Sequence, residues 1–137
     1  MSVSYPARTV LYIEDNKDNL ALVAHLLARR EDLTLFSATD GKAGVEMAFT
    51  LQPDVILMDI NMPVMGGMEA LELLLNEPAT ARIPVIALSC HAYPAQIQHG
   101  LEAGFYGYLT KPFKFDEFLA ALDAALNDSS MRPIATL

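Results

Sequence analysis

Apolar and polar positions alternate in blocks along this chain. Residues 9–13 (TVLYI) are apolar and partly β-branched, and the run stops abruptly at Glu14-Asp15-Asn16. A short apolar run bounded by charge reads as a buried strand. Residues 17–30 then carry Leu20, Val23, Ala24 and Leu27, spaced 3, 1 and 3 as on one helix face, with Asp15 or Asn16 placed to cap it. Residues 33–38 (LTLFSA) alternate as a strand, and Asp40-Gly41 opens a helix that runs to about Leu51 before Pro53 breaks it. Residues 55–58 (VILM) are apolar at every position. Met62-Pro63 and Gly66-Gly67 mark a loop, and a helix follows over about 68–76. Pro84 precedes a second fully apolar run, residues 85–88 (VIAL), and Pro94 suits the first turn of a helix reaching Ala103. Residues 107–110 (GYLT) read as a fifth short strand. Residues 115–126 read as a last helix, with Phe118, Leu119, Leu122 and Leu126 on one side.

Strand and helix alternating in this way imply a parallel sheet covered on both faces by helices. The expected architecture is a doubly wound, three-layer α/β/α domain over residues 9–126, with its two wholly apolar strands in the centre. Residues 1–8 read as a leader, and 127–137 as a tail or the start of a linker. The full length of 137 residues suits one domain, and 53% hydrophobic with 19% charged residues excludes disorder for its body.

Charge narrows the partners. Acids number 17 against 9 bases, for a net charge of -8, and Arg82 is the only base between Lys42 and Lys111. With no basic stripe, neither direct nucleic-acid binding nor docking on anionic membranes is expected. The one cysteine, Cys90, rules out an internal disulfide or a structural zinc site and reads as a small buried filler. His25 and His99 read as helix-surface residues, and the seven methionines as core filler. No apolar run approaches a membrane span and no leader of the secretory type opens the chain. The expectation is a soluble cytoplasmic protein, or a domain cut from one.

The chemistry gathers at the strand ends. Glu14 and Asp15 follow the first strand, Asp59 the third, Ser89 the fourth and Thr110-Lys111-Pro112 the fifth. Parallel strands bring these ends to one rim, where α/β folds bind ligands. Singly, each has an ordinary reading: a helix N-terminal charge for Glu14 or Asp15, a turn opener for Asp59, a turn hydroxyl for Ser89, a solvated lysine for Lys111. Their coincidence at four strand ends argues for a site. Three adjacent carboxylates cannot all stay ionised without a cation, and an oxygen-only ligand set suits a hard ion such as Mg2+. A hydroxyl and an ammonium aimed at the same place suit an anion. Phosphoryl transfer uses such parts, and a carboxylate can itself be the nucleophile. Asp59, ending a central strand, is the best-placed acceptor.

These residues resemble the receiver domains of bacterial two-component response regulators and hybrid sensor kinases. The resemblance covers about residues 9–126. It rests on VLYIEDN (10–16), DVILMDINMPVMGGMEAL (54–71), PVIALS (84–89) and GYLTKPF (107–113), each modest alone and specific in this order and spacing. It implies a flavodoxin-like strand order 2-1-3-4-5. It implies that Asp59 is the phosphoacceptor, that Glu14, Asp15 and Asp59 hold Mg2+, and that the backbone carbonyl of Asn61 completes the metal site. Ser89 and Lys111 would bind the phosphoryl group, Pro112 would follow a cis peptide, and Tyr108 would be the aromatic switch coupled to Ser89. Asn61 and His91 would tune how water reaches the acyl phosphate, although a loop histidine is an equal reading of His91. Two departures stand out. The acidic pair is Glu-Asp rather than Asp-Asp, so Glu14 is expected to meet the metal through water. Gly66 replaces a frequent aspartate in MPVMGG (62–67).

The implied function is a phosphoacceptor switch. A histidine kinase or a histidine phosphotransfer protein donates, and phosphorylation alters the face built from residues 94–126, where a downstream protein binds. The domain would promote only its own phosphorylation and dephosphorylation, so it is not expected to be an ordinary enzyme. EDN (14–16) and IALSCHA (86–92) lean toward hybrid kinases or phosphorelays. About ten residues follow the last helix, which reads as a free-standing receiver or one excised from a longer chain. Oligomeric state is open. Two rivals are a small aspartyl-phosphate phosphatase, which usually needs a second Asp where Asn61 stands, and a degenerate receiver that only docks partners.

Overall fold

The computed structural model describes residues 8–62, 64–90, 93–112 and 114–128. In chain order the elements are β1 (Arg8–Ile13), α1 (Lys17–Leu27), β2 (Leu33–Ala38), α2 (Gly41–Leu51), β3 (Val55–Asp59), α3 (Gly67–Asn76), β4 (Val85–Ser89), α4 (Pro94–Ala103), β5 (Gly107–Thr110) and α5 (Phe115–Asn127). All strand pairs are parallel and the order across the sheet is β2-β1-β3-β4-β5. The chain leaves β1 toward β2 on one side and returns to β3 on the other. That reversal lies between β1 and β3, where such sheets open a crevice beyond the strand ends.

The alternation of side chains in β1, β3 and β4 builds two cores. Leu11, Ile13, Ile56, Met58, Val85 and Ala87 face one way and pack with Val45 and Ala48 of α2 and Ala70, Leu71 and Leu74 of α3. Val10, Tyr12, Val55, Leu57, Ile86 and Leu88 face the other way, onto Val23 and Leu27 of α1 and Phe118, Leu122 and Ala125 of α5. Being covered on both sides is why these strands read as apolar at every position. Burying a side chain of this size contributes about 1.5–3 kcal/mol. The frame under the rim is therefore stiff.

Elements differ from the sequence pattern mainly at their ends. α1 stops at Leu27 rather than Arg30. There the chain turns, Arg30 N–H donating to the Leu27 carbonyl at 2.9 Å and Leu33 N–H to the Arg30 carbonyl at 3.1 Å. The Arg30 guanidinium is drawn to Asp32 and, at 2.9 Å, to Asp123 of α5. β1 starts one residue early, at Arg8, whose guanidinium donates to the Leu126 carbonyl at the end of α5, 2.7 Å away. β3 and β4 each run one residue further than their apolar stretch. Asp59 lies beside Leu88 in the ladder, and Ser89 beside Thr110. Two polar residues read as lying just past their strands are thus the last rungs of the sheet.

Two glycines permit close approaches that matter here. A Cβ on Gly67 would come within 2.8 Å of Ile60 Cα, so α3 starts hard against the backbone that leaves Asp59. Gly104, at φ 126°, ends α4 in a conformation that favours glycine and turns the chain into β5.

Candidate functional site

The ends of β1, β3, β4 and β5 converge on an acidic cup. One carboxylate oxygen from each of Glu14, Asp15 and Asp59 lies within 4.8 Å of the others. Glu14 is fully buried, Asp59 keeps 8% of its side-chain surface open, and Asp15 stands exposed at the rim. Asp59 is oriented by the turn after β3, where Asn61 N–H donates to Oδ1 at 3.1 Å. Ile60 N–H donates to the Leu88 carbonyl at 3.0 Å, so the strand pairing itself holds that turn.

Lys111 reaches in from the end of β5. Its backbone N–H donates to the Ser89 carbonyl at 2.7 Å, extending the ladder by one bond. The Lys111–Pro112 peptide is cis. The ammonium donates to Glu14 Oε1 at 2.8 Å and stands 3.7 Å from Asp59 Oδ2. Glu14 is thus the direct partner of Lys111, and Asp59 its longer-range one.

Electrostatics follow from that geometry. Burial and the adjoining Glu14 carboxylate push Asp59 up to about 6, against the pull of the Asn61 N–H and Lys111. Burial would also raise Glu14, but hydrogen bonds from a protonated Asp59, from Lys111 and from Tyr12 outweigh it and hold Glu14 down at about 2. Burial would lower Lys111; its two carboxylate neighbours outweigh that and raise it. Lys111 therefore stays charged, Glu14 stays ionised, and Asp59 is the group whose charge is resisted near neutral pH. A carboxylate held in that state gains from a nearby cation. The three oxygens offered, with no sulfur or imidazole among them, fit a hard divalent ion such as Mg2+.

The remaining expected residues fall as follows. Ser89 is buried at the end of β4, and Asn61 Nδ2 donates to its hydroxyl at 3.4 Å, bringing those two together beside Asp59. Tyr108 lies half-buried further along, against Gly100 of α4. A groove of ≈ 280 Å³ joins the two, lined by Asn61, Ser89, Met68, His99 and Tyr108 among others. His91 lies outside the described residues. Cys90 is exposed rather than buried, lying just past the end of β4 at Ser89. Glu14 folds inward, its carboxylate within 4.8 Å of the others.

Two participants carry no motif signal. The Tyr12 hydroxyl donates to Glu14 Oε1 at 2.8 Å, and Asn19 Nδ2 donates to the same oxygen at 3.2 Å. Tyr12 was findable, since residues i and i+2 of a strand share a face and Tyr12 is therefore a neighbour of Glu14. Asn19 was not, because its reach depends on how α1 leaves the strand. Asn16 is the helix cap, accepting from the N–H groups of Asp18 and Asn19. Among the described residues no helix is long and apolar enough to cross a membrane.

Comparison with known proteins agrees with this geometry. The sequence matches the family model described as the response regulator receiver domain over residues 10–123. It is 36% identical over 126 residues to the nitrate/nitrite response regulator protein NarL of Escherichia coli (strain K12), covering 91% of this chain and 57% of that protein. It is 40% identical over 110 residues to the signal transduction histidine-protein kinase BarA of the same strain, covering 79% of this chain and 12% of that one. The chain therefore spans 57% or less of the length of these two relatives. Among solved structures, the chemotaxis protein CheY4 of Vibrio cholerae superposes with a TM-score of 0.81 at 29% identity, covering 88% of this chain and 99% of that one. The receiver domain of a sensor histidine kinase from Pseudomonas aeruginosa PAO1, solved with a magnesium ion coordinated in its active site cleft, gives a TM-score of 0.80 at 30% identity. That match covers 89% of this chain and 99% of that one.

Proposed function

Because the chain belongs to the response regulator receiver domain family, we propose that it is a phosphoacceptor switch whose accepting atom is a carboxylate oxygen of Asp59. The observation that carries this reading is the placement of Asp59, at the closed end of an acidic cup, with Lys111 Nζ 3.7 Å from its Oδ2. Glu14, Asp15, Asp59 and the backbone carbonyl of Asn61 would hold Mg2+. When bound there, the ion supplies positive charge that lets an anionic phosphoryl group approach an acidic rim.

The chain's own residues do the rest. An ionised Asp59 oxygen attacks the phosphorus of a phosphohistidine on a histidine kinase or histidine phosphotransfer protein. The P–O bond forms as the P–N bond breaks, and the imidazole nitrogen leaves with the electron pair. Lys111 and Ser89 donate to the phosphoryl oxygens, which costs little reorganisation because both stand on strand ends. Ser89, drawn toward the phosphoryl group, vacates its end of the groove, and Tyr108 turns into it. The face of residues 94–126 then changes for a downstream protein target. Water attacking phosphorus later breaks the P–O bond and resets the switch, with Asn61 and His91 setting its access.

On this reading residues 9–126 are the receiver unit and promote chemistry only on their own carboxylate, in the cytoplasm. The test is incubation with a small phosphodonor and Mg2+, followed by mass spectrometry. An alkali-labile gain of one phosphoryl group on the wild type, absent from Asp59→Asn, supports the switch. Rapid turnover of an external phosphoester would instead mean a phosphatase, and no modification at all a docking module.

A further inference from the structure

The Glu14 carboxylate uses its two oxygens unequally. Oε1 accepts from the Tyr12 hydroxyl and from Lys111 Nζ, each at 2.8 Å, and from Asn19 Nδ2 at 3.2 Å. With Asp59 ionised and so no longer a donor, Oε2 accepts only the long bond from Asn16 N–H among the described residues, at 3.4 Å. A carboxylate oxygen has roughly two lone-pair directions. Oε1 is therefore saturated, and Oε2 is the oxygen with capacity left for a cation.

The three donors to Oε1 differ in how firmly they are held. Lys111 is a long, flexible side chain whose three donors are shared between Glu14, Asp59 and any incoming phosphoryl group. Asn19 is half-buried at the start of α1. Tyr12 is fully buried in the core shared with Val23, Leu57 and Phe118. Its ring cannot shift without disturbing a packed strand. A buried phenol also needs a partner for its hydroxyl, so the bond is enforced from both sides. Phenylalanine would fill the same space and leave Oε1 without a fixed donor.

We propose that Tyr12 is a positioning residue of the cation cup: by pinning Glu14 Oε1 from the core, it keeps the carboxylate turned so that Oε2 faces the ion, whether or not Lys111 is bound to Glu14. This rests on the reading of the cup as a Mg2+ site. An opposing effect makes the inference sharp. A donor on Oε1 also withdraws charge from the carboxylate, so removing it would strengthen Glu14 as a ligand if orientation did not matter. The sign of the change separates the two.

The experiment is calorimetric titration of Mg2+ into the wild type, Tyr12→Phe, Glu14→Gln and the double variant, with unfolding curves alongside. Partners of this kind behind a metal ligand are typically worth about 10–100-fold in metal affinity. Tyr12→Phe is expected to weaken Mg2+ binding about tenfold, and to add no further weakening in the Glu14→Gln background, because it acts through Glu14. Asn19→Ala, at a half-buried helix position, is expected to weaken binding in the same direction by less. It decides by the same criteria should Phe at position 12 unfold the chain. Unchanged or tighter binding by Tyr12→Phe overturns the inference, as does a loss that persists undiminished without Glu14. A wild type that binds no Mg2+ overturns the reading of the cup and this inference together, whereas a wild type that binds Mg2+ with an indifferent Tyr12 overturns the inference alone.

Discussion

Replacing Asp59 by asparagine is expected to stabilise the fold, and the gain should grow with pH. The carboxyl titrates at about 6 in the cup against an ordinary 3.8. The folded state therefore holds that proton more tightly than the unfolded chain does. The stability this provides is complete below pH 3.8 and is lost as pH rises through 6. Above that, an ionised Asp59 faces the ionised Glu14 with Lys111 3.7 Å away. Asparagine keeps the shape and can still accept the Asn61 N–H through Oδ1, but carries no charge. The rise from pH 4.5 to 6 covers about 1.5 pH units at about 1.4 kcal/mol each, or about 2 kcal/mol. Starting at pH 4.5 avoids most of the Glu14 titration, which lies lower. Urea unfolding with a chelator present, at pH 4.5 and pH 7.5, measures the difference. With a slope of about 2 kcal/mol per molar, the midpoint gap between variant and wild type should widen by about 1 M. Mg2+ should then close part of the gap by stabilising the wild type. A gap that ignores pH, or an asparagine variant less stable at the higher pH, would refute the argument that Asp59 carries uncompensated charge.

Lys111→Ala leaves the buried Glu14 without its ammonium; a loss of about 3 kcal/mol at neutral pH is expected, and unaltered urea unfolding would show the pair to be dispensable. The same variant should still accept some phosphate but lose the partner response, as read by binding to a target with and without phosphodonor. Asp15→Ala removes an exposed rim carboxylate, so stability should change by no more than about 0.5 kcal/mol while calorimetry shows weaker Mg2+ binding; equal affinity would remove Asp15 from the metal site. Val64 is exposed at φ 67°, a conformation disfavoured for a β-branched residue. Val64→Asn should gain about 0.5–1 kcal/mol in thermal unfolding, and a loss would mean the valine makes a contact that offsets its strain.

Much of the frame was legible because one-dimensional patterns control it. Residues 55–58 and 85–88 are apolar throughout because helices cover both faces of β3 and β4. Pro94 and Asp40 open helices through constraints local to each, a fixed φ for the one and a side-chain cap for the other. Strand ends were less legible. Ladder hydrogen bonds to neighbours decide whether Asp59 and Ser89 belong to the strand, and those neighbours are remote in the chain. Cys90 shows the same limit: its small apolar side chain suited a core, but it lies past the last rung of β4 and is exposed.

From the sequence alone came the family resemblance, the two-sided strands, and the set of polar groups at the strand ends, because each depends on residue identity and spacing. The tertiary structure decided how that set is wired. It turned Glu14 inward onto Lys111, left Asp15 at the rim, and placed Tyr12 and Asn19 behind Glu14 Oε1. The physical reason is that hydrogen bonds between groups up to 97 positions apart depend on angles and distances of a few tenths of an ångström. Strand order, register and the packing of α1 and α5 set those distances, and no local pattern encodes them.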